Sequence, residues 1–231
     1  MATLQNIVFV TTFAGLVLSI AIILLIFSQL SHDAKSLTFV AVASAVAAVT
    51  FMSCLLQFSF QARSTSLSAQ TLLEILCVPL FSLPLLLFTF TVEYLSTWTR
   101  ERRIIQAIYA AQVIVGSAVL LSHGWLYNVY FKPDGAIAFS TSVSLLSLLM
   151  NTWLTANTWY GFYIFIRLTI QQATKRDRSF IFGVGLIYAG LMINSISVIG
   201  QYSIGTDFLV AGVVALTRPV LKQRLFDPLS Q

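Results

Sequence analysis

Seven long apolar segments constrain the fold of this chain more than any motif does. They lie at residues 6–30, 37–60, 71–95, 104–126, 143–167, 179–200 and 206–222. A helix of about 20 apolar residues crosses the ~30 Å hydrocarbon core of a bilayer, because each residue adds about 1.5 Å. The segments therefore predict an all-α integral membrane protein, a seven-helix bundle that forms a single domain over residues 1–231.

The composition supports this class of protein. Hydrophobic residues make up 58% of the 231 residues and charged residues only 9%, whereas soluble domains carry roughly 25% charged residues. So few charged side chains do not suffice to cover a surface that faces water. The basic residues behind the net charge of +5 are not gathered into one patch, so we expect a lipid bilayer and no nucleic acid as partner.

The positions of the basic residues predict the orientation of the bundle. Of the 13 lysines and arginines, all but Arg63 and Lys132 lie in or at the edge of the first, third and fifth gaps between the segments, or in the C-terminal part of the chain from Arg218 onward. Lysine and arginine are enriched in cytoplasmic loops. We therefore expect the N-terminus outside and the C-terminus in the cytoplasm. Seven crossings, an odd number, likewise place the two termini on opposite sides of the membrane.

The gap between the fourth and fifth predicted helices carries the signature of a β-hairpin. Two β-prone runs within Val129–Phe139 flank the tetrad Lys132-Pro133-Asp134-Gly135. Proline presets the first dihedral angle of a turn, and glycine takes the left-handed position. We expect a short external β-hairpin here, lying over the bundle.

The third segment has the most unusual composition. Within Leu72–Tyr94, it carries Glu74 in its first turns and two prolines, Pro79 and Pro84. A carboxylate in a spanning helix faces protein or water rather than lipid, and each proline removes a backbone hydrogen bond and bends the helix. Neighbouring helices must therefore surround this segment, and its outer half is a candidate site of function.

Polar side chains from several segments fall at a similar depth in the predicted outer half. Each alone has a structural explanation, since aromatic residues anchor helices at the interface and asparagines bridge helices by hydrogen bonds. Their convergence favours a ligand pocket that opens outward beneath the hairpin. The candidate ligand-binding residues are Glu74, His123, Trp125, Asn151, Asn194, Gln201 and Asp207.

Several kinds of chemistry have no sequence signal in this chain. All four lysines lie at or beyond the ends of the segments, so the seventh segment offers none for a Schiff base with retinal. His32 and His123 fall on opposite sides of the predicted membrane and do not form a haem-ligating pair. No phosphate-binding loop, nucleophile elbow or metal-ligand spacing is present. We expect no enzyme activity, catalytic residue, metal or cofactor.

Several short motifs are spread from the third segment to the end of the chain. They are Glu74 followed by Pro84 and a Leu/Phe-rich run to Glu93-Tyr94, Ser122-His123-Gly124-Trp125, Asn194, Thr206-Asp207, and Arg218 to Asp227-Pro228. Together with the basic third gap, they resemble the N-terminal seven-transmembrane region of some prokaryotic sensor histidine kinases and related signalling receptors. The resemblance implies an input module that passes a helix movement to a cytoplasmic output domain, in the plasma (inner) membrane.

The family that this resemblance suggests normally continues into PAS, kinase or cyclase domains, whereas this sequence stops at Gln231. We therefore expect either a piece of a longer protein or a protein that works with a separate signalling partner. Kinase activity itself is not expected of these residues.

Three functions agree with the sequence. The first is a sensor or receptor input module for a small ligand or stimulus. The second is a structural or accessory subunit of a larger integral membrane complex, with a neighbouring subunit or a second copy of the chain as partner. The third is a small-solute transporter of the SWEET type. Such a transporter needs two parallel repeats with matching helix breaks, and the first and fifth segments contain no proline.

Overall fold

The structure, a computed structural model, describes residues 2–28, 34–61, 66–95, 127–131, 137–141, 145–171, 178–195 and 204–226, and seven single positions between 104 and 115. The described elements are α1 (Ala2–Ser28), α2 (Ala34–Gln61), α3 (Ser66–Leu95), β1 (Tyr127–Phe131), β2 (Ile137–Thr141), α4 (Leu145–Gln171), α5 (Arg178–Ser195) and α6 (Ile204–Phe226).

The predicted helical class is confirmed over the described residues. Six of the seven predicted segments coincide with α1–α6 to within about five residues at each end. The seven described positions in the fourth segment are also helical. Because the rest of that segment lies outside the described residues, the count of seven helices stays a prediction.

Four helices are long and apolar enough to cross a membrane, and this supports a membrane protein. They are α1, α2, α3 and α6, with spans at Phe9–Ser28, Lys35–Leu55, Val78–Leu95 and Ile204–Leu221. In α5, the described apolar stretch is Arg178–Ile193. Helix α4 has 27 residues and is not among these four in the described part of the chain.

The strands β1 and β2 form an antiparallel pair in the segment for which the sequence predicts a hairpin. Tyr127 lies opposite Thr141 and Phe131 opposite Ile137. The strands therefore extend two residues further on each side than the predicted Val129–Phe139, and the tetrad falls in the connection at 132–136. Strand β1 packs against α3. The external position of the pair stays a prediction.

The relative directions of the helices follow from their contacts. Helices α1 and α6 are parallel, because Thr11 meets Asp207 while Gly15 meets Val210. Helices α2 and α3 are antiparallel, because Thr38 and Phe39 near the start of α2 contact Glu93 and Phe90 near the end of α3.

Helices α3 and α4 run in the same direction. A cleft contains residues 84–88 of α3 and 157–161 of α4, and the apolar cluster beyond it contains Val92 and Ile164.

Helices α5 and α6 form the most extensive helix pair that the structure describes. They are antiparallel, since Gly183 faces Gly212 and Gly190 faces Gly205. A Cβ atom built on Gly212 would lie 2.7 Å from the carbonyl oxygen of Gly183. Only glycine permits this backbone approach, which is how helices pack closely in lipid.

The apolar core lies between α2, α3, α5 and α6. It includes Phe39, Phe90, Ile187, Leu209 and Leu216, all with no more than 1% of their surface exposed. Several hydroxyl groups within the helices donate to a backbone carbonyl three or four residues earlier, as Thr50 does to Val46 and Thr91 to Leu87. Such bonds satisfy the hydroxyl group without water.

Candidate functional site

Asp207 lies where three helices meet, and its side chain is the one among the seven predicted site residues that the structure describes. It belongs to the first turn of α6. Thr11 Oγ1 of α1 donates a long hydrogen bond of 3.4 Å to Asp207 Oδ2. The carboxyl group is partly buried, and Cys54 of α2 is close enough to interact with it electrostatically.

The local sequence explains why an acid is stable at this position. The free N–H groups in the first turn of a helix, together with the helix dipole, favour negative charge. Buried hydroxyl groups lie next in sequence to the contacting residues, at Thr12 in α1, Ser53 in α2 and Thr206 in α6. Buried polar side chains therefore occur close in sequence to the Asp207 contacts on all three helices.

This arrangement suits one kind of ligand chemistry. An ionised carboxylate is only an acceptor, with about four lone-pair sites on its two oxygens. Within the described residues, Thr11 supplies one hydrogen bond to this carboxyl group, at the long end of the hydrogen-bond range. A cation or a hydrogen-bond donor would complete the environment of Asp207.

The other predicted site residues are not tested. The side chains of Glu74 in α3, Asn151 in α4 and Asn194 in α5 lie outside the described residues. The same holds for His123, Trp125 and Gln201 in full. Their convergence with Asp207 stays a prediction.

A cleft between α3 and α4 was not selected from the sequence. Its lining residues are Pro84, Leu85, Phe88, Ile108, Asn157, Tyr160 and Gly161. The Nδ2 atom of Asn157 is buried and has no hydrogen-bond partner within the described ranges. The proline and the asparagine are visible in the sequence, but the register that brings their two helices together is not.

A second acid, Glu93, lies near the end of α3, where it meets the start of α2. Thr38 Oγ1 of α2 donates a hydrogen bond of 3.0 Å to Glu93 Oε2. The ring of Tyr94 next to it stacks on Phe180 of α5, with 4.1 Å between the ring centroids. Glu93 thus joins α2 to α3, beside an aromatic contact that joins α3 to α5.

Among the described residues, no group of three histidine, cysteine, aspartate or glutamate side chains is arranged to hold a metal ion. Comparison with known protein families finds no family model that matches this chain, and comparison with curated proteins finds no match. The site is therefore interpreted from its own geometry.

Proposed function

We propose that this chain is a membrane sensor or receptor input module that binds a small ligand in its outer half. The observation that carries the proposal is the Asp207 carboxyl group between α1 and α6, held by Thr11 through one long hydrogen bond. Removing a carboxylate from water is unfavourable unless partners replace the water. A small cationic or donor-bearing ligand would supply those partners.

Helix α6 would carry the signal away from Asp207. It has 23 residues and is therefore about 35 Å long. Its last turns contain Arg218, Lys222 and Arg224. A ligand that binds one position of α6 more tightly than another shifts the population toward the first. The basic end of the helix would then present that shift to a cytoplasmic output domain or partner protein.

The helix directions support a seven-helix topology. The parallel pair α3 and α4 needs a further crossing between residues 95 and 145, where the described positions between 104 and 115 are helical. The parallel pair α1 and α6 agrees with six reversals between the first and the last of seven crossings. With the basic residues in the cytoplasm, Asp207 and the pair of strands would lie toward the outside.

The resemblance to prokaryotic sensor kinases supports the same function. It suggests the plasma (inner) membrane as location and a signalling domain as partner. The motifs that carry it include Thr206-Asp207 at the start of α6 and Arg218 near its end. The proposed ligand site and the proposed output therefore lie at the two ends of one helix.

Thermal unfolding of the purified protein in lipid nanodiscs tests the proposal. Tetramethylammonium, choline, spermidine and arginine serve as cationic probes, and glycerol serves as a neutral one. We expect at least one cation to raise the Tm, since saturation at about 100 times Kd adds about 2.7 kcal/mol. Asp207→Asn keeps the shape but removes the charge, and we expect it to abolish that rise.

Glu93→Gln is the matched control. Glu93 also accepts a hydrogen bond from a threonine, but at the opposite end of the bundle. The control should keep the ligand-induced rise in Tm. The sensor proposal fails if no probe stabilises the wild type, or if Asp207→Asn and Glu93→Gln respond alike.

One feature favours an accessory subunit as second candidate. Helix α4 exposes the rings of Trp153, Trp159 and Tyr163. Such rings are common in protein interfaces as well as at membrane surfaces. Purification in mild detergent followed by mass spectrometry discriminates the two. A stoichiometric integral partner without a signalling domain would favour the accessory role.

A further inference from the structure

The lysines and arginines of the described ranges lie at one end of the helix bundle, which we call the basic end. They are Lys35, Arg167, Arg178, Arg218, Lys222 and Arg224. At the opposite end, where Asp207 lies, the described residues include no lysine or arginine. The helix contacts establish this placement.

The end of α3 lies between two of these basic residues. Glu93 accepts a hydrogen bond from Thr38, which lies three residues after Lys35 at the start of α2. The residue that follows Glu93 stacks its ring on Phe180, two residues after Arg178 at the start of α5. Lys35 and Arg178 therefore flank the last turn of α3.

The antiparallel pairing of α5 with α6 puts Arg218 at the same level. A Cβ atom built on Gly183 would meet both Gly212 and Leu216 of α6. The five residues before Gly183 therefore run beside the five that follow this turn of α6. These two stretches contain Arg178 and Arg218.

Arg167 of α4 belongs to the same end. Val92 of α3 and Ile164 of α4 lie in one apolar cluster, and the two helices run in the same direction. One turn further along, α3 ends at Leu95 and α4 reaches Arg167.

The basic end coincides with the ends of the apolar spans. The span of α2 begins at Lys35, that of α3 ends at Leu95 and that of α6 ends at Leu221. The apolar stretch of α5 begins at Arg178. Long basic side chains near the end of a spanning helix extend to the membrane interface. These residues therefore lie at the depth of the lipid headgroups.

The three exposed arginines each have an exposed apolar or aromatic side chain four residues away, toward the middle of the span. The pairs are Arg167 with Tyr163, Arg178 with Phe182, and Arg218 with Val214. Residues four apart are neighbours on one helix face. A cation next to a deeper apolar surface matches the two parts of a phospholipid, the phosphate and the acyl chain. A free phosphate or an acidic soluble protein would match only the cation.

The charge at this end selects the kind of phospholipid. Among the described side chains, the basic residues at this end outnumber the one acid, Glu93, which accepts a hydrogen bond from Thr38. Basic residues at headgroup depth attract anionic lipids. Arginine also binds phosphate through two parallel hydrogen bonds.

We propose that the basic end of the bundle binds anionic phospholipids. The guanidinium groups of Arg178 and Arg218, on the paired helices α5 and α6, bind the headgroup phosphate. The acyl chains pack against Phe182 and Val214. The site lies at the opposite end of the bundle from Asp207, so the inference does not rest on the proposed function.

Native mass spectrometry of the purified protein in mild detergent tests this site. Phosphatidylglycerol and phosphatidylcholine with the same acyl chains serve as probes, and we expect the first to bind more tightly. Glycerol 3-phosphate carries the phosphate without acyl chains. At the same concentration it should not displace phosphatidylglycerol. Displacement would indicate a site for free phosphate, and equal binding of the two lipids would indicate no selectivity; either result would overturn the proposal.

The double variant Arg178→Gln with Arg218→Gln removes the proposed phosphate ligands. We expect it to bind phosphatidylglycerol roughly thirtyfold more weakly, as for two basic residues at an anionic surface. Its binding of phosphatidylcholine should not change, which also shows that it is folded. Arg178→Lys with Arg218→Lys keeps the charge and should keep most of the preference for phosphatidylglycerol.

Arg63→Gln with Lys132→Gln is the matched control. It removes the same charge from the two gaps between segments that the charge pattern assigns to the other side of the membrane. This variant should keep the wild-type preference for phosphatidylglycerol. Equal losses in the two glutamine variants would overturn the proposal, because net charge alone would then determine lipid binding. Loss of the preference in the lysine variant would overturn it as well.

Discussion

At the scale of single residues, the contact between Tyr188 and Gly161 shows how tightly α5 approaches α4. A Cβ atom on residue 161 would lie 2.5 Å from the tyrosine hydroxyl oxygen, but no closer than 3.4 Å to the ring carbons. The hydroxyl group alone therefore forbids a larger residue at position 161. It is also a polar atom that has no hydrogen-bond partner in the described part of the chain.

A double-mutant cycle tests this contact. We expect Gly161→Ala to destabilise the protein by about 1–3 kcal/mol, as overpacking does. Tyr188→Phe should cost less than about 1 kcal/mol, because the lost hydroxyl group makes no hydrogen bond within the described residues. In the double variant the penalty of the alanine should largely disappear. Unfolding in a denaturing detergent, followed by circular dichroism, measures the stability of the two single variants and the double variant.

Gly185→Ala is the control for the glycine substitution itself. Nothing lies within 4 Å of a Cβ atom at this position of α5. Alanine is the better helix former by about 1 kcal/mol, so this variant should be neutral or slightly more stable. A loss of stability there, or an additive cycle at Tyr188 and Gly161, would contradict the packing described.

The sequence selects some candidate residues and passes over others for a physical reason. It selects Asp207 because an acid at the start of an apolar helix is conspicuous. Asn157 was not selected as a site residue, since an asparagine within a spanning helix is usually explained by a hydrogen bond between helices. Only the register of α3 against α4 puts it beside Pro84, and register is not encoded in the hydrophobic pattern.

At the scale of helices, the sequence predicts where elements lie but not how they pair. Apolar runs predicted α1–α6 well, because each run must satisfy its own backbone in lipid. The turn residues of the predicted hairpin fall between β1 and β2. The pairing of α5 with α6 was not foreseen, although Gly183 and Gly190 have the same seven-residue spacing as Gly205 and Gly212. Which helix such a face meets depends on the whole bundle.

The α5–α6 pair makes a prediction at this scale. Gly212→Ala should destabilise the protein by at least about 2 kcal/mol, near the upper part of the range for overpacking. The reason is that an added Cβ would meet backbone as well as a side chain: Ile187 Cγ1 lies at 2.5 Å, the Gly183 carbonyl oxygen at 2.7 Å and the Ile187 amide nitrogen at 3.1 Å. A rotamer change of Ile187 would not relieve the two backbone contacts. Denaturation of the purified protein measures the loss.

The contact of α1 with α6 at Gly15 provides the comparison for Gly212→Ala. At Gly15 the nearest atom to an added Cβ is a methyl carbon of Val210 at 3.1 Å. A side chain can move by a few tenths of an ångström, so Gly15→Ala should cost clearly less than Gly212→Ala. If both variants lose equal stability, the close backbone approach of α5 and α6 is not what holds the pair together.

At the scale of the whole molecule, helix direction and charge are the two observations against which the predicted seven-crossing topology can be compared. The contacts make α1 parallel to α6 and α3 parallel to α4. The basic residues, read without any structure, assign the gaps between segments to alternate sides of the membrane. A seven-crossing chain with its N-terminus outside satisfies both. A chain with only α1, α2, α3 and α6 in the membrane does not explain the charge pattern.

Site-directed labelling of cysteines decides between these topologies. The native Cys54 and Cys77 are first replaced by serine, and single cysteines are then introduced at Lys132, between the strands, and at Lys175, between α4 and α5. In intact cells, a membrane-impermeant maleimide should label Lys132→Cys. It should label Lys175→Cys only after permeabilisation, because the predicted cytoplasmic side is then open to the reagent. Equal labelling of both positions in intact cells would place them on one side of the membrane, and the seven-crossing topology, with Asp207 toward the outside, would be wrong.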